Sequence, residues 1–145
     1  MVKLIFPLLF LFSLNGWAEL IISDASINLS PMANIPSSGY MKILNKSPKK
    51  VSILDISSSK FEEIQWHETV VSADGIARMR LIKNPEIPAF GAVTLKRGGN
   101  HLMLYKASKK IESNSEIDLL FKLSSGQEQR FSVKAANPDI SRHNH

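Results

Sequence analysis

The sequence contains no cysteine. That excludes disulfides, thiolate metal centres, blue-copper sites, cysteine nucleophiles, dithiol redox chemistry and a lipidated N-terminal cysteine. Any metal must be held by His, Met, Asp or Glu, and stability must come from packing. A dense basic stripe is also missing. Lys and Arg number 18 against 13 Asp and Glu, a formal net charge of +5, but the excess is scattered in short pairs such as Lys49-Lys50 and Lys109-Lys110. Nucleic-acid binding requires a clustered patch, so no nucleic-acid partner is expected. A solvated basic surface of this kind can steer a protein toward an acidic partner or membrane face.

Patterns of catalysis are missing as well. His67-Glu68-Thr69-Val70-Val71 starts like a zincin helix but has Val where the second His belongs. There is no Gly-x-Ser-x-Gly elbow. Glu62 and Glu63 are adjacent and would face opposite sides of a strand, a poor acid/base pair. The expectation is a protein that is not an enzyme. No window keeps a 3.6-residue apolar period over three turns, which argues against helices.

What is present begins with an address. Lys3 provides a positive start, Leu4 to Leu14 is apolar, and Gly16-Trp17-Ala18 puts small residues at the −3 and −1 positions of a cleavage site. This reads as a secretory signal over residues 1–18. The apolar run is shorter than the ~20 residues of a bilayer span. The expected mature protein is exported, periplasmic in a Gram-negative source, and not an integral membrane protein after cleavage.

The 145-residue chain has room for one domain, placed at 19–136. Ala25, Ile27 and Leu29 alternate with polar residues. Strand-like stretches follow at Tyr40–Asn45, Val51–Ile56, Ile64–His67, Ile76–Ile82, Ala92–Lys96, His101–Lys106, Ile117–Leu123 and Arg130–Ala135. Turn signals separate them, among them Asp74-Gly75, Asn84-Pro85 and Gly98-Gly99-Asn100. The predicted fold is all-β, a single-domain antiparallel β-sandwich or barrel of about seven to nine strands. Residues 137–145 are polar and read as a flexible tail.

Four methionines and four histidines fall in this part of the chain. In His101-Leu102-Met103 the imidazole and thioether share one face of a strand, while Leu102 and Leu104 point to the core. Alternation puts Met79 on the face of Ala77 and Leu81, where it is expected to pack in part as a core methionine. His67 follows Trp66, which is expected to pack beside the site as a shield. Soft thioethers select Cu(I), whereas Zn(II) rarely takes two of them and Mg(II) or Ca(II) want oxygen. If His67, Met79, His101 and Met103 converge, the ion is a single Cu(I).

The same four residues carry a resemblance. Their spacing resembles the H(M)-x10-M-x21-H-x-M signature of the periplasmic copper chaperone family PCuAC. His67 opens it, Glu68 takes the bracketed Met position, residues 69–78 lead to Met79, and residues 80–100 lead to His101-Leu102-Met103. Trp66-His67-Glu68-Thr69, Asp74 to Arg80 and Gly98 to Leu104 are similar in context. The resemblance spans roughly Ser23 to Ala135. It implies a cupredoxin-like sandwich (Ig-like Greek key) and delivery of Cu(I) to the CuA-type copper domain of apo cytochrome c oxidase, or exchange with another periplasmic copper carrier. Glu68 points away from His67 in a strand and is not expected to ligate.

A periplasmic copper buffer or resistance protein would use the same site, and a metal-free exported Ig-like interaction module would leave the four residues scattered. His143 and His145 in the tail form a candidate secondary Cu(II) site. Asn28-Leu29-Ser30 and Asn45-Lys46-Ser47 are formal glycosylation sequons.

Overall fold

The structure, a computed structural model, describes residues 18–32 and 34–136. The expected leader up to Trp17 and the tail with His143 and His145 lie outside the described residues. Among the described residues every regular element is a strand. They are β1 (Leu20–Asn28), β2 (Ser37–Asn45), β3 (Val51–Ser57), β4 (Phe61–Val71), β5 (Ala77–Leu81), β6 (Glu86–Ile87), β7 (Ala92–Leu95), β8 (Asn100–Ala107), β9 (Glu116–Leu123) and β10 (Glu128–Ala136). The order across the sheet is β5-β4-β8-β2-β1-β10-β9-β3-β6, and β7 pairs with β2 beside β8. One hydrophobic cluster joins Leu102, Leu104, Ile43 and Trp66 from one half to Ile53, Leu119, Phe121 and Val133 from the other. The sheet is therefore folded over into two layers around a single core, as a sandwich requires.

The alternation that predicted strands is realised most cleanly in β9. Ile117, Leu119, Phe121 and Leu123 are fully buried and the residues between them face out. In β8, Leu102 and Leu104 are fully buried. β2 approaches β8 through Gly39, which lies opposite Leu102. A Cβ at Gly39 would come within 3.1 Å of the Leu102 Cβ, so the close approach of these strands needs glycine.

The strands among the described residues number ten, against the seven to nine expected, because the two-residue β6 is too short to carry a pattern, and two further features depart from the sequence reading. Pairing is not wholly antiparallel, because β1 meets β10 in parallel through Ile27↔Ala135 and Asn28↔Ala136. This short contact joins the two layers, and no local pattern encodes it. β4 is also longer at both ends than Ile64–His67. Its second half pairs with β5, from His67↔Leu81 to Val71↔Ala77, in a hairpin that leaves all of β5 exposed. That hairpin is extended by strand pairing and not by core burial, so it lacks a strong apolar alternation.

The turn after β2 is pinned by a buried side chain. Asn45 is fully buried; its Nδ2 donates to the carbonyls of Lys49, Ile87 and Pro88, and its Oδ1 accepts from the backbone N–H and the hydroxyl of Ser47. This amide, formally a sequon asparagine, is consumed by the fold. Asn45→Ala would strand several buried partners at once. A loss of about 2–3 kcal/mol in urea unfolding is expected from the cost of unsatisfied buried groups.

Candidate metal centre

The site is written into the pairing of three strands. β4 and β8 run antiparallel with His67 directly opposite His101, and Gln65 opposite Met103. β5 lies on the other side of β4, with Leu81 opposite His67 and Met79 opposite Thr69. Directly paired residues, and residues two apart on one strand, share a face. His67, His101, Met103 and Met79 therefore all stand on the same face of the sheet. It is the face opposite Trp66, Leu102 and Leu104.

The two histidines form the centre of this array. Their ring centroids are 6.0 Å apart and the rings are inclined at 55°. His101 is only 5% exposed although it lies off the core face. The turn before it is set by Gly98, whose positive φ of 78° suits glycine. That turn presents the Gly99 carbonyl, which accepts a hydrogen bond from His101 Nδ1–H at 2.9 Å. His67 Nε2–H donates to Gln65 Oε1 at 2.7 Å. The remaining ring nitrogens, His67 Nδ1 and His101 Nε2, are both buried and have no hydrogen-bond partner. Two bare lone pairs, desolvated on adjacent strands, form an unsatisfied pair of the sort a metal ion satisfies. Burial and then the neighbouring His101 ring hold the pKa of His67 below the ordinary value of 6.5. A lowered pKa favours the neutral ring, the form that can offer a lone pair to a metal ion.

The methionines are placed unequally. Met103 is half-buried on the same strand as His101. Met79 is 61% exposed on the edge strand, next to exposed Leu81 and Val71. It therefore is not a core methionine, because β5 has no second layer over its Met79 face. Met103 is level with residue 65 and Met79 with residue 69, on strands to either side of β4. The structure gathers His67, His101 and Met103, and holds Met79 at the opposite corner of the same face. Met79→Ile is accordingly expected to leave stability within about 0.5 kcal/mol, as for other exposed substitutions; thermal unfolding of the metal-free variant checks it.

Trp66 does not shield the site. It sits in the core face at 5% exposure, and its Nε1–H donates to Asn100 Oδ1 at 2.9 Å. Period-two alternation already excluded it from the His67 face. Glu68 also points away from His67, and its carboxylate is held by Arg80 at 2.6 Å. Among the described residues no three of His, Cys, Asp and Glu come together. No carboxylate thus joins the two imidazoles among the described residues, and the soft side chains on the same face are Met103 and Met79. Sequence reasoning missed Gln65, whose only signal was its place two residues before His67 on one strand face.

The fold is that of PCuAC domains. The chain is similar to the copper-bound PCuAC domain from PmoF2, with a TM-score of 0.67 and 17% identity over 82% of this chain and 93% of that one. It is similar also to the Cu(I) form of DR1885 from Deinococcus radiodurans, with a TM-score of 0.62 and 21% identity over 77% of this chain and 74% of that one. By sequence the chain belongs to the family described as putative lipoprotein LpqE-like, which it matches over residues 20–135. A relative in Rickettsia prowazekii, uncharacterized protein RP573, is 26% identical over 102 residues, 70% of this chain. The chain spans 56% of the length of that relative.

Proposed function

We propose that the protein is an exported Cu(I) carrier that binds one ion through His67, His101, Met103 and Met79 and passes it to an apo-acceptor by ligand exchange. The observation that carries this reading is the pair of buried, unpartnered nitrogens, His67 Nδ1 and His101 Nε2, on the face shared by both thioethers. Four neutral ligands leave Cu(I) with a single positive charge. Thioethers favour that soft ion over Zn(II). The solved PCuAC domains named for bound copper support the same ion. Copper is cargo here and no reaction is catalysed. Delivery to a CuA-type domain of cytochrome c oxidase follows from the family resemblance, and export from the leader over residues 1–18.

Release is explained by the unequal methionines. His67, His101 and Met103 retain the ion, while Met79 is the ligand that an acceptor can displace first, because its strand is an exposed edge. For Met79 to join the other three, the β4–β5 hairpin must bring its edge over His67. Loading should therefore shelter Met79. With Ag(I) as a redox-inert soft stand-in, mild oxidation followed by mass spectrometry should show Met79 sulfoxide falling several-fold on loading. Exposed Met32 should be unchanged, and Met41, buried at 1% exposure, unoxidised throughout. Equal oxidation of Met79 with and without Ag(I) would remove it from the ligand set. The carrier reading itself is tested by anaerobic Cu(I) titration against a chromophoric chelator. One tightly held copper per chain is expected, and no uptake would leave a metal-free interaction module.

A further inference from the structure

Along β4, Glu63, Gln65 and His67 alternate onto one face and form a continuous hydrogen-bonded ladder. Gln65 Nε2 donates to Glu63 Oε1 at 2.6 Å, and Gln65 Oε1 accepts from His67 Nε2–H at 2.7 Å. We infer that Gln65 is a positioning residue that fixes which nitrogen of His67 faces the metal. This deepens the carrier reading and rests on it.

The chemistry of the ladder leaves one consistent arrangement. An ionised carboxylate only accepts hydrogen bonds, so Glu63 must draw the NH2 end of the Gln65 amide toward itself. The amide oxygen is then turned to His67. That oxygen also only accepts, so His67 must present an N–H there, at Nε2. Its one proton thus placed, the neutral ring keeps a bare lone pair on Nδ1, the buried nitrogen without a partner. At His101 the opposite atom is chosen. The Gly99 carbonyl takes Nδ1–H and leaves Nε2 bare. The site therefore uses one Nδ1 and one Nε2. Nδ1 is the ring nitrogen next to the Cβ-bearing carbon, whereas Nε2 lies across the ring. An ion held by these two nitrogens would be bound by His67 through the nitrogen nearer β4 and by His101 through the far nitrogen from β8, with Met79 on β5 and Met103 on β8 on the same face to either side of β4. Partners of ligating imidazoles that set their tautomer commonly control affinity by 10- to 100-fold.

Gln65 is partly exposed on the sheet surface, off the core face of Trp66, so substitutions there leave the core packing in place. The test uses 15N-labelled protein and two-bond 1H–15N correlation at about pH 8, where imidazole is neutral. In the metal-free protein, His67 should be protonated at Nε2 and bare at Nδ1, and His101 the reverse. Gln65→Glu keeps an acceptor and should preserve this pattern. Gln65→Lys presents only donors and should invert the tautomer of His67 alone. On loading with Ag(I), the metal-shifted nitrogens should be Nδ1 of His67 and Nε2 of His101. Cu(I) affinity should fall 10- to 100-fold in Gln65→Lys and stay within a few-fold in Gln65→Glu. A metal-free wild type with His67 protonated at Nδ1 would overturn the inference, as would a Gln65→Lys variant with unchanged tautomer and affinity. The tautomer is read without metal, so failure of copper binding would count against the carrier reading and leave the result on Gln65 standing separately.

Discussion

His101→Leu is expected to abolish tight Cu(I) binding without harming the fold. In the proposed site His101 would supply one ligand atom, the buried and unpartnered Nε2. With the apparent ~10–16 kcal/mol of structural Zn(II) sites taken as a scale, each of four ligands supplies roughly a quarter. At 1.4 kcal/mol per tenfold, the loss is about two to three orders of magnitude in affinity. Folding should not suffer, for a reason specific to this position. The imidazole makes one hydrogen bond, to the Gly99 carbonyl, and that carbonyl also accepts the backbone N–H of Thr69 at 3.1 Å. Leu leaves it satisfied and removes a buried nitrogen that had no partner. Replacing an unsatisfied polar group by an apolar one is neutral or stabilising. The metal-free variant should thus unfold at the wild-type temperature or slightly above. Chelator competition and thermal unfolding on the same sample check both halves. A variant that binds Cu(I) like wild type, or one that is strongly destabilised, would mean that His101 is a structural residue.

The second large effect is that of pH. Thioethers do not titrate, so protons attack the site only through the two imidazoles. Metal and proton compete for the same lone pair. Apparent affinity should be flat above the ordinary imidazole pKa of about 6.5. It should fall at lower pH with a limiting slope of two protons per copper, about a hundredfold per pH unit. His67 should enter this decline late, because burial and the His101 ring lower its pKa. The same shift governs the stability of the metal-free protein. In the unfolded chain His67 takes up its proton near 6.5, and in the folded protein only at lower pH. Between those two values the unfolded state binds more protons, so stability declines as pH falls through 6.5 and levels off below the folded value. His67→Gln should remove that part of the decline. Urea unfolding at a series of pH values will show wild type and variant diverging below about 6.5; curves that stay parallel would contradict a lowered pKa for His67.

Much of this was legible because β-strands map sequence onto faces with a period of two. His101-Leu102-Met103 shows a candidate ligand pair and a core leucine in three residues, and β8 places the leucine in the core and the pair on the other face, as read. The alternating β9 was equally plain. What escaped were relations that depend on the neighbouring strand. Alternation put Met79 on the face of Ala77 and Leu81, which it shares, but cannot tell a buried face from an exposed edge. That face has no layer over it, so the methionine meets solvent. Trp66 shows the opposite error: its place next to His67 suggested a shield, yet its parity with Leu102 and Leu104 assigned it to the core. The direct opposition of His67 and His101 comes from the register of β4 against β8, two strands that are not consecutive in the chain. Local pattern holds no record of such a register. The Glu63–Gln65–His67 ladder was missed, because its only trace in the sequence is a spacing of two and its role comes from hydrogen-bond geometry.

The most direct test of a two-imidazole, two-thioether Cu(I) site is copper K-edge X-ray absorption on the protein loaded anaerobically with one equivalent. A first shell of two nitrogens and two sulfurs is predicted, with one sulfur lost in Met103→Ile. A shell of nitrogen and oxygen alone, or a spectrum unchanged by Met103→Ile, would contradict it.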